Sequence, residues 1–156
     1  MTRREDKLTD RTRQPRLLYL ARRFAVASRA ELETITRDHG LTAGDYSLLH
    51  LISRRQPCSS ADIARAARIT PQAATQQVAQ LAAKTMIERR ENPDNRRIVL
   101  LELTDGGRNA LEYIDRRAAA LEDRLTVGFD DAELDIIRRF LSLDPSAAAD
   151  SAEAAE

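Results

Sequence analysis

Gln72, Thr75, Gln76 and Gln80 recur three and four residues apart, so a helix over this stretch carries all four on one side. Glutamine makes paired hydrogen bonds to the edge of adenine, and threonine donates, accepts or touches a thymine methyl. Arg96 and Arg97 follow Asn92-Pro93-Asp94-Asn95, a run that reverses the chain. An arginine at a hairpin tip can enter a narrow minor groove, where the negative potential is enhanced. Asp94, two residues before Arg96, is placed to support that arginine by an ion pair. Each feature has a plain alternative. Polar residues on an amphipathic helix face water by default, and a tip arginine keeps a hairpin soluble. The elements that carry these residues tip the balance toward double-stranded DNA.

Those elements follow from patterning. Ser59 or Ser60 can cap a short helix whose buried face holds Ile63, Ala64 and Ala67. Arg68 and Ile69 form a turn. Thr70-Pro71 then starts a second helix, with Thr as N-cap and Pro where a missing N–H costs nothing. This helix buries Ala74, Val78, Leu81 and Ala82. Two strands follow, Met86 to Arg90 and Arg97 to Leu103, the latter alternating Val99, Leu101 and Leu103 with Ile98, Leu100 and Glu102. Arg97 can therefore begin a strand, which makes Arg96 the stronger contact. A helix-turn-helix with an arginine-tipped hairpin behind it suits major-groove and minor-groove contact together.

The flanks are helical. Apolar positions from Leu17 to Ile35 recur at helical spacing, and His39-Gly40 ends that run. Thr42 can cap a helix through Tyr46, Leu48, Leu49, Leu51 and Ile52, broken at Arg54-Arg55-Gln56-Pro57. Beyond Thr104-Asp105, Leu111, Ile114, Ala118, Leu121 and Leu125 make a heptad-like seam. Asp130 and Glu133 form a capping box for a last helix ending near Pro145. The expected fold class is mainly α with a small β hairpin, a winged helix-turn-helix between N- and C-terminal helices. The expected organisation is a flexible stretch over 1–14, one unit over 15–143 and a disordered acidic tail over 144–156. Within the unit, terminal helices span about 15–37 and 105–143, and the winged helix-turn-helix about 42–104.

The chain has 156 residues and a formal net charge of zero. The total hides a local imbalance. Residues 144–156 carry four acids and no base, whereas 53–97 carry nine bases and four acids. Phosphate responds to the local field. Arg54, Arg55, Arg65, Arg68, Arg89 and Arg90 are candidates for backbone phosphate, each equally suited to be a solvated charge. The one cysteine, Cys58, cannot form an internal disulfide. It is better read as a packing residue than as a redox switch. No apolar run is long enough to span a membrane, and the N-terminus lacks a signal-like segment, so a cytoplasmic location is expected. Neither His39 nor His50 sits in a metal-ligand pattern, and no phosphate loop or nucleophile–base arrangement is present. No enzyme activity, metal or cofactor is expected. Gly106-Gly107 reads as close packing at a helix start.

In order and spacing, Ile87-Glu88-Arg89, Asp94-x-Arg96 and Leu103-Thr104-x-x-Gly107 resemble the signature of the MarR family of winged-helix transcription regulators, over roughly Leu17 to Leu143. The resemblance implies a homodimer interlocked through its terminal helices, reading a pseudo-palindromic operator as a repressor released by a small aromatic or phenolic effector. It carries DNA contact to Thr75, Gln76 and Arg96, with Gln72 and Gln80 beside them. An effector cleft would involve the neighbourhood of Tyr19, Arg23, Tyr46, His50 and Tyr113. The chain departs from the family at Thr85, where Gly is usual, and lacks the Arg or Lys often exposed on the reading helix. Two alternatives stand beside this reading: a winged helix that binds protein, and a redox-responsive regulator acting through Cys58.

Overall fold

The structure, a computed structural model, describes residues 15–144. The stretches expected to be flexible or disordered lie outside the described residues, apart from Asp144. In chain order the elements are α1 (Leu17–Thr36), a 3-10 turn (Arg37–His39), α2 (Ala43–Ser53), β1 (Cys58–Ser59), α3 (Ser60–Ala67), α4 (Pro71–Ala83), β2 (Ile87–Glu91), β3 (Val99–Leu103), α5 (Asp105–Leu125) and α6 (Asp131–Leu141). The chain divides into two compact units, one through Ala118 and one from Ala119.

The first unit holds the core. Leu48, Leu49 and Ile52 of α2, Ile63 of α3, Ala74, Val78 and Leu81 of α4, and Ala110, Leu111 and Ile114 of α5 are all buried. Ile87, Leu101 and Leu103 close it from the sheet. Aliphatic side chains thus do nearly all the packing. Ala67 departs from expectation and is exposed, because α3 ends there and the chain turns away.

The sheet has three strands, not the two of a simple hairpin. Its order is β1-β3-β2, all antiparallel, with Cys58 opposite Leu101 and Arg89 opposite Leu101 on the other side. A two-residue strand has no periodicity to read, so β1 left no signal in the sequence. Of the alternating residues in β3, Leu101 and Leu103 are buried, but Val99 is 46% exposed. It sits at the outer end of the strand, toward the hairpin tip.

Sequence-local caps set the helix ends. Thr42 with Asp45, Ser59 with Asp62 and Asp130 with Glu133 each form a complete capping box. Gly40 ends the 3-10 turn at φ 65°, a left-handed conformation that favours glycine. At Gly107 the reason is contact. A Cβ there would lie 2.0 Å from the Met86 carbonyl oxygen, so the first turn of α5 can rest against the turn before β2 only with glycine. Thr104 joins the two: its hydroxyl donates to the Thr85 carbonyl at 2.7 Å and accepts from the Gly107 N–H at 3.0 Å.

In the second unit, the last turns of α5 lead into α6. Along α6, Ile136, Phe140 and Leu141 are exposed, as are Leu17, Leu18, Tyr19 and Phe24 on α1 in the first unit.

Candidate nucleic-acid interface

The turn between α3 and α4 is tight. Arg68 takes a left-handed conformation at φ 54°, and the Ile69 N–H donates back to the Ala64 carbonyl at 3.1 Å. Thr70 caps α4 by accepting from the Ala73 N–H, and Pro71 occupies the first helical position. The inner face of α4 is then fixed by Ala74, Val78 and Leu81. Gln72, Thr75, Gln76 and Gln80 are consequently exposed, as the sequence pattern requires. The Thr75 hydroxyl donates to the Pro71 carbonyl at 2.8 Å, which uses its proton and leaves its oxygen free to accept.

Asparagines build the hairpin tip. Asn92 Oδ1 accepts from the Asp94 N–H at 2.9 Å, and Asn95 Oδ1 from the Arg97 N–H at 3.1 Å. The Asn92 and Ile98 backbones close the loop, Asn92 N–H donating to the Ile98 carbonyl at 3.2 Å. Among the described residues no ion pair joins Asp94 to Arg96, so the support expected from that carboxylate comes from Asn92 and Asn95 instead. Their side chains mimic backbone acceptors at turn positions. Arg97 does not begin a strand, since β3 starts at Val99. Both tip arginines are exposed, and neither guanidinium is paired among the described residues.

Five of the six candidate phosphate-binding arginines sort into two groups. Arg65 is paired with Asp62 of its own helix. Arg90 reaches Glu88 at 3.1 Å and Glu102 at 3.5 Å. Those two are compensated in place. Arg54, Arg55 and Arg89 are exposed with no side-chain partner among the described residues. The Ser59 hydroxyl, then its N–H, and lastly Arg65 hold the Asp62 carboxyl below the usual carboxylate range.

The far end of α4 is tied to α2. Lys84 Nζ donates to Asp45 Oδ2 at 2.7 Å. Asp45 is 7% exposed. Burial alone would push its carboxyl up, but the hydrogen bonds from Lys84 and Thr42 together outweigh it and hold the group low.

The five effector candidates do not converge on one observed cluster. Tyr46 donates to Asp115 Oδ1 at 2.8 Å, and His50 Nδ1, itself without a hydrogen bond, lies 4.0 Å from the same oxygen. Tyr113 instead donates to Asp38 at 2.9 Å, packs edge-on to His39 and lies under Arg117. Tyr19 and Arg23 pair with each other along α1. Asp115 has no motif around it, and only the packing of α5 near α2 brings it to Tyr46. A depression of about 520 Å³ opens elsewhere, lined by Arg55, Pro57, Cys58, Asp62, Arg65 and Ala66. The Cys58 thiol is buried, and burial pushes it up from its ordinary value. A protonated, covered thiol is a poor nucleophile, which weighs against a redox switch at this position.

A polar-faced helix after a tight turn, with a three-stranded sheet ending in a basic tip, defines a winged helix-turn-helix protein. The MarR family model matches residues 41–99, the stretch that contains these features. The protein Rv2011c of Mycobacterium tuberculosis is 32% identical over 106 residues, 68% of this chain and 73% of its own. The chain therefore belongs to the MarR family of transcription regulators. The HTH-type transcriptional regulator YdgJ of Bacillus subtilis is 34% identical over 73 residues, 47% of this chain, which spans only 44% of that relative. Among solved structures, a mutant MarR from E. coli complexed with operator DNA superimposes with a TM-score of 0.70 at 23% identity, covering 80% of this chain and 90% of that one. The MarR family protein Rv2887 of Mycobacterium tuberculosis, complexed with salicylic acid, gives 0.63 at 25% identity, covering 82% and 95%.

Proposed function

We propose that this chain is a cytoplasmic, sequence-specific DNA-binding repressor that acts as a homodimer on a pseudo-palindromic operator and is released by a small aromatic acid or phenol. The observation that carries the reading is the division of labour within the first unit. Helix α4 exposes Gln72, Thr75, Gln76 and Gln80, and the hairpin tip exposes Arg96 and Arg97, neither with a side-chain partner among the described residues. Glutamine and threonine discriminate bases, whereas tip arginines draw on the charge and shape of the minor groove.

Support for the dimer comes from the apolar side chains left on α1 and α6. Tyr19, Phe24, Ile136 and Leu141 are each about half exposed or more. Apolar surface of this kind is usual where a chain meets a partner, and a second copy is the simplest occupant. The effector reading rests on the salicylic acid complex of the Rv2887 protein, with Tyr46, His50 and Asp115 as a polar group that can exchange hydrogen bonds with a phenolic hydroxyl. No described helix is long and apolar enough to cross a membrane.

The test is a mobility-shift titration on duplexes recovered by in vitro selection. Gln76→Ala should relax preference at one base position by about 1–3 kcal/mol, the value of a good paired contact. Arg96→Ala should weaken binding more evenly across sequences. Salicylate should lower affinity for the selected duplex. Loss of neither preference nor affinity in the two variants would refute the site, and a chain that sediments as a monomer would refute the dimer.

A further inference from the structure

The outer face of the wing carries an arrangement that DNA binding alone does not require. In the β2–β3 ladder Glu88 stands directly opposite Glu102, and Arg90 follows on the same face. Like charges directly opposite one another destabilise a strand pair. Arg90 lies across both, with one guanidinium nitrogen 3.1 Å from Glu88 and another 3.5 Å from Glu102. The opposite face of the same strands carries Ile87, Leu101 and Leu103, which belong to the core, together with the exposed Arg89. The charged groups of the outer face are thus two acids and one base, beside a tip with two arginines that are unpaired among the described residues.

We infer that Glu88 and Glu102 are specificity-determining residues, which keep Arg90 off phosphate and so keep the outer face of the wing strands from adding to its attraction for DNA. This rests on the DNA-binding reading above. Exposed ion pairs contribute little to stability, so the fold does not explain the cluster. Its effect lies in the field: a flat basic strand face would bind any duplex, while a face that sums to a negative charge yields only to contacts the tip and α4 can make. Non-specific affinity is almost wholly electrostatic, so removing the two carboxylates raises it more than it raises affinity for the cognate site.

The experiment compares wild type with Glu88→Gln/Glu102→Gln and with Arg90→Gln, each first shown to keep its melting transition. The probes are a random-sequence 30-base-pair duplex and the duplex recovered by selection, titrated over a series of salt concentrations. In the double variant the freed arginine adds one phosphate contact. The slope of log K against log salt then steepens by about 0.9, an affinity gain near eightfold at 0.1 M relative to 1 M salt. The ratio of selected to random affinity falls. Arg90→Gln leaves the wild-type slope unchanged. An unchanged slope and ratio in the double variant, or a shallower slope in Arg90→Gln, would overturn the inference while leaving DNA binding intact. A wild type that binds neither duplex with salt-dependent affinity would overturn both.

Discussion

Thr85 occupies a backbone position that suits glycine, and replacing it tests the local energetics directly. Its φ is 58°, in the left-handed region between the end of α4 and the start of β2. An L-residue there costs about 1–2 kcal/mol, and a β-branched one falls at the upper end because its branches crowd the backbone. Thr85→Gly removes that cost. Two effects oppose the gain. Glycine has more freedom to lose on folding, about 0.4–1 kcal/mol. The substitution also deletes the Thr85 hydroxyl, which donates to the Lys84 carbonyl at 2.7 Å; an exposed bond of this type is worth roughly 0.5 kcal/mol. The balance favours glycine by about 1 kcal/mol, equivalent to about 2–4 °C in melting temperature for a chain of this size. Urea unfolding at one fixed chain concentration measures it, with Thr85→Ala as the control that loses the hydroxyl but keeps the constraint. Glycine should be more stable than alanine by the strain relieved less the extra entropy it loses on folding. If the glycine variant is no more stable than both wild type and alanine, left-handed strain at this position is not a real cost.

Other outcomes follow from contacts already described. Gly107→Ala drives a methyl group into the Met86 carbonyl and should destabilise by roughly 2–3 kcal/mol, the range for overpacking that needs a backbone shift; a melting curve that overlays wild type would show the approach to be looser than the 2.0 Å Cβ distance implies. Lys84→Met strands the buried Asp45 carboxylate. Breaking a fully buried pair costs about 3–5 kcal/mol, and since Lys84 is about a third exposed the loss at pH 7 should be nearer 2 kcal/mol. Asp45 is held below its ordinary value in the folded chain, so the stability it contributes is present above pH 4 and fades as pH falls through the folded value. The gap between Lys84→Met and wild type should therefore narrow toward pH 3, and a gap independent of pH would exclude the ion pair as its source. Cys58 should react with a thiol reagent orders of magnitude more slowly in the native protein than in urea; rapid native labelling would reopen the redox reading.

The helices, their caps and the face that α4 turns outward were legible in the residues alone. Capping boxes and Thr-Pro starts act over three or four residues, and amphipathic spacing repeats within one helix, so each signal is complete inside a short window. At the Leu103-Thr104-x-x-Gly107 junction the sequence indicated close packing at a helix start but not what the glycine packs against. Its glycine answers to the Met86 carbonyl, 21 residues earlier, and only packing brings the two together. The same separation hid β1, which exists because β3 offers it an edge, and hid Asp115, which matters only because α5 lies near α2. It also decided the fate of the charges. Six arginines between 54 and 90 looked alike as a string. Tertiary placement committed Arg90 to Glu102 and Lys84 to Asp45 and left Arg54, Arg55 and Arg89 exposed, whereas the Arg65–Asp62 pair closes within one helix. Local chemistry determined what each segment is, and long-range packing decided which of its groups remain available, because charge and hydrogen-bonding capacity depend on neighbours that chain order does not reveal.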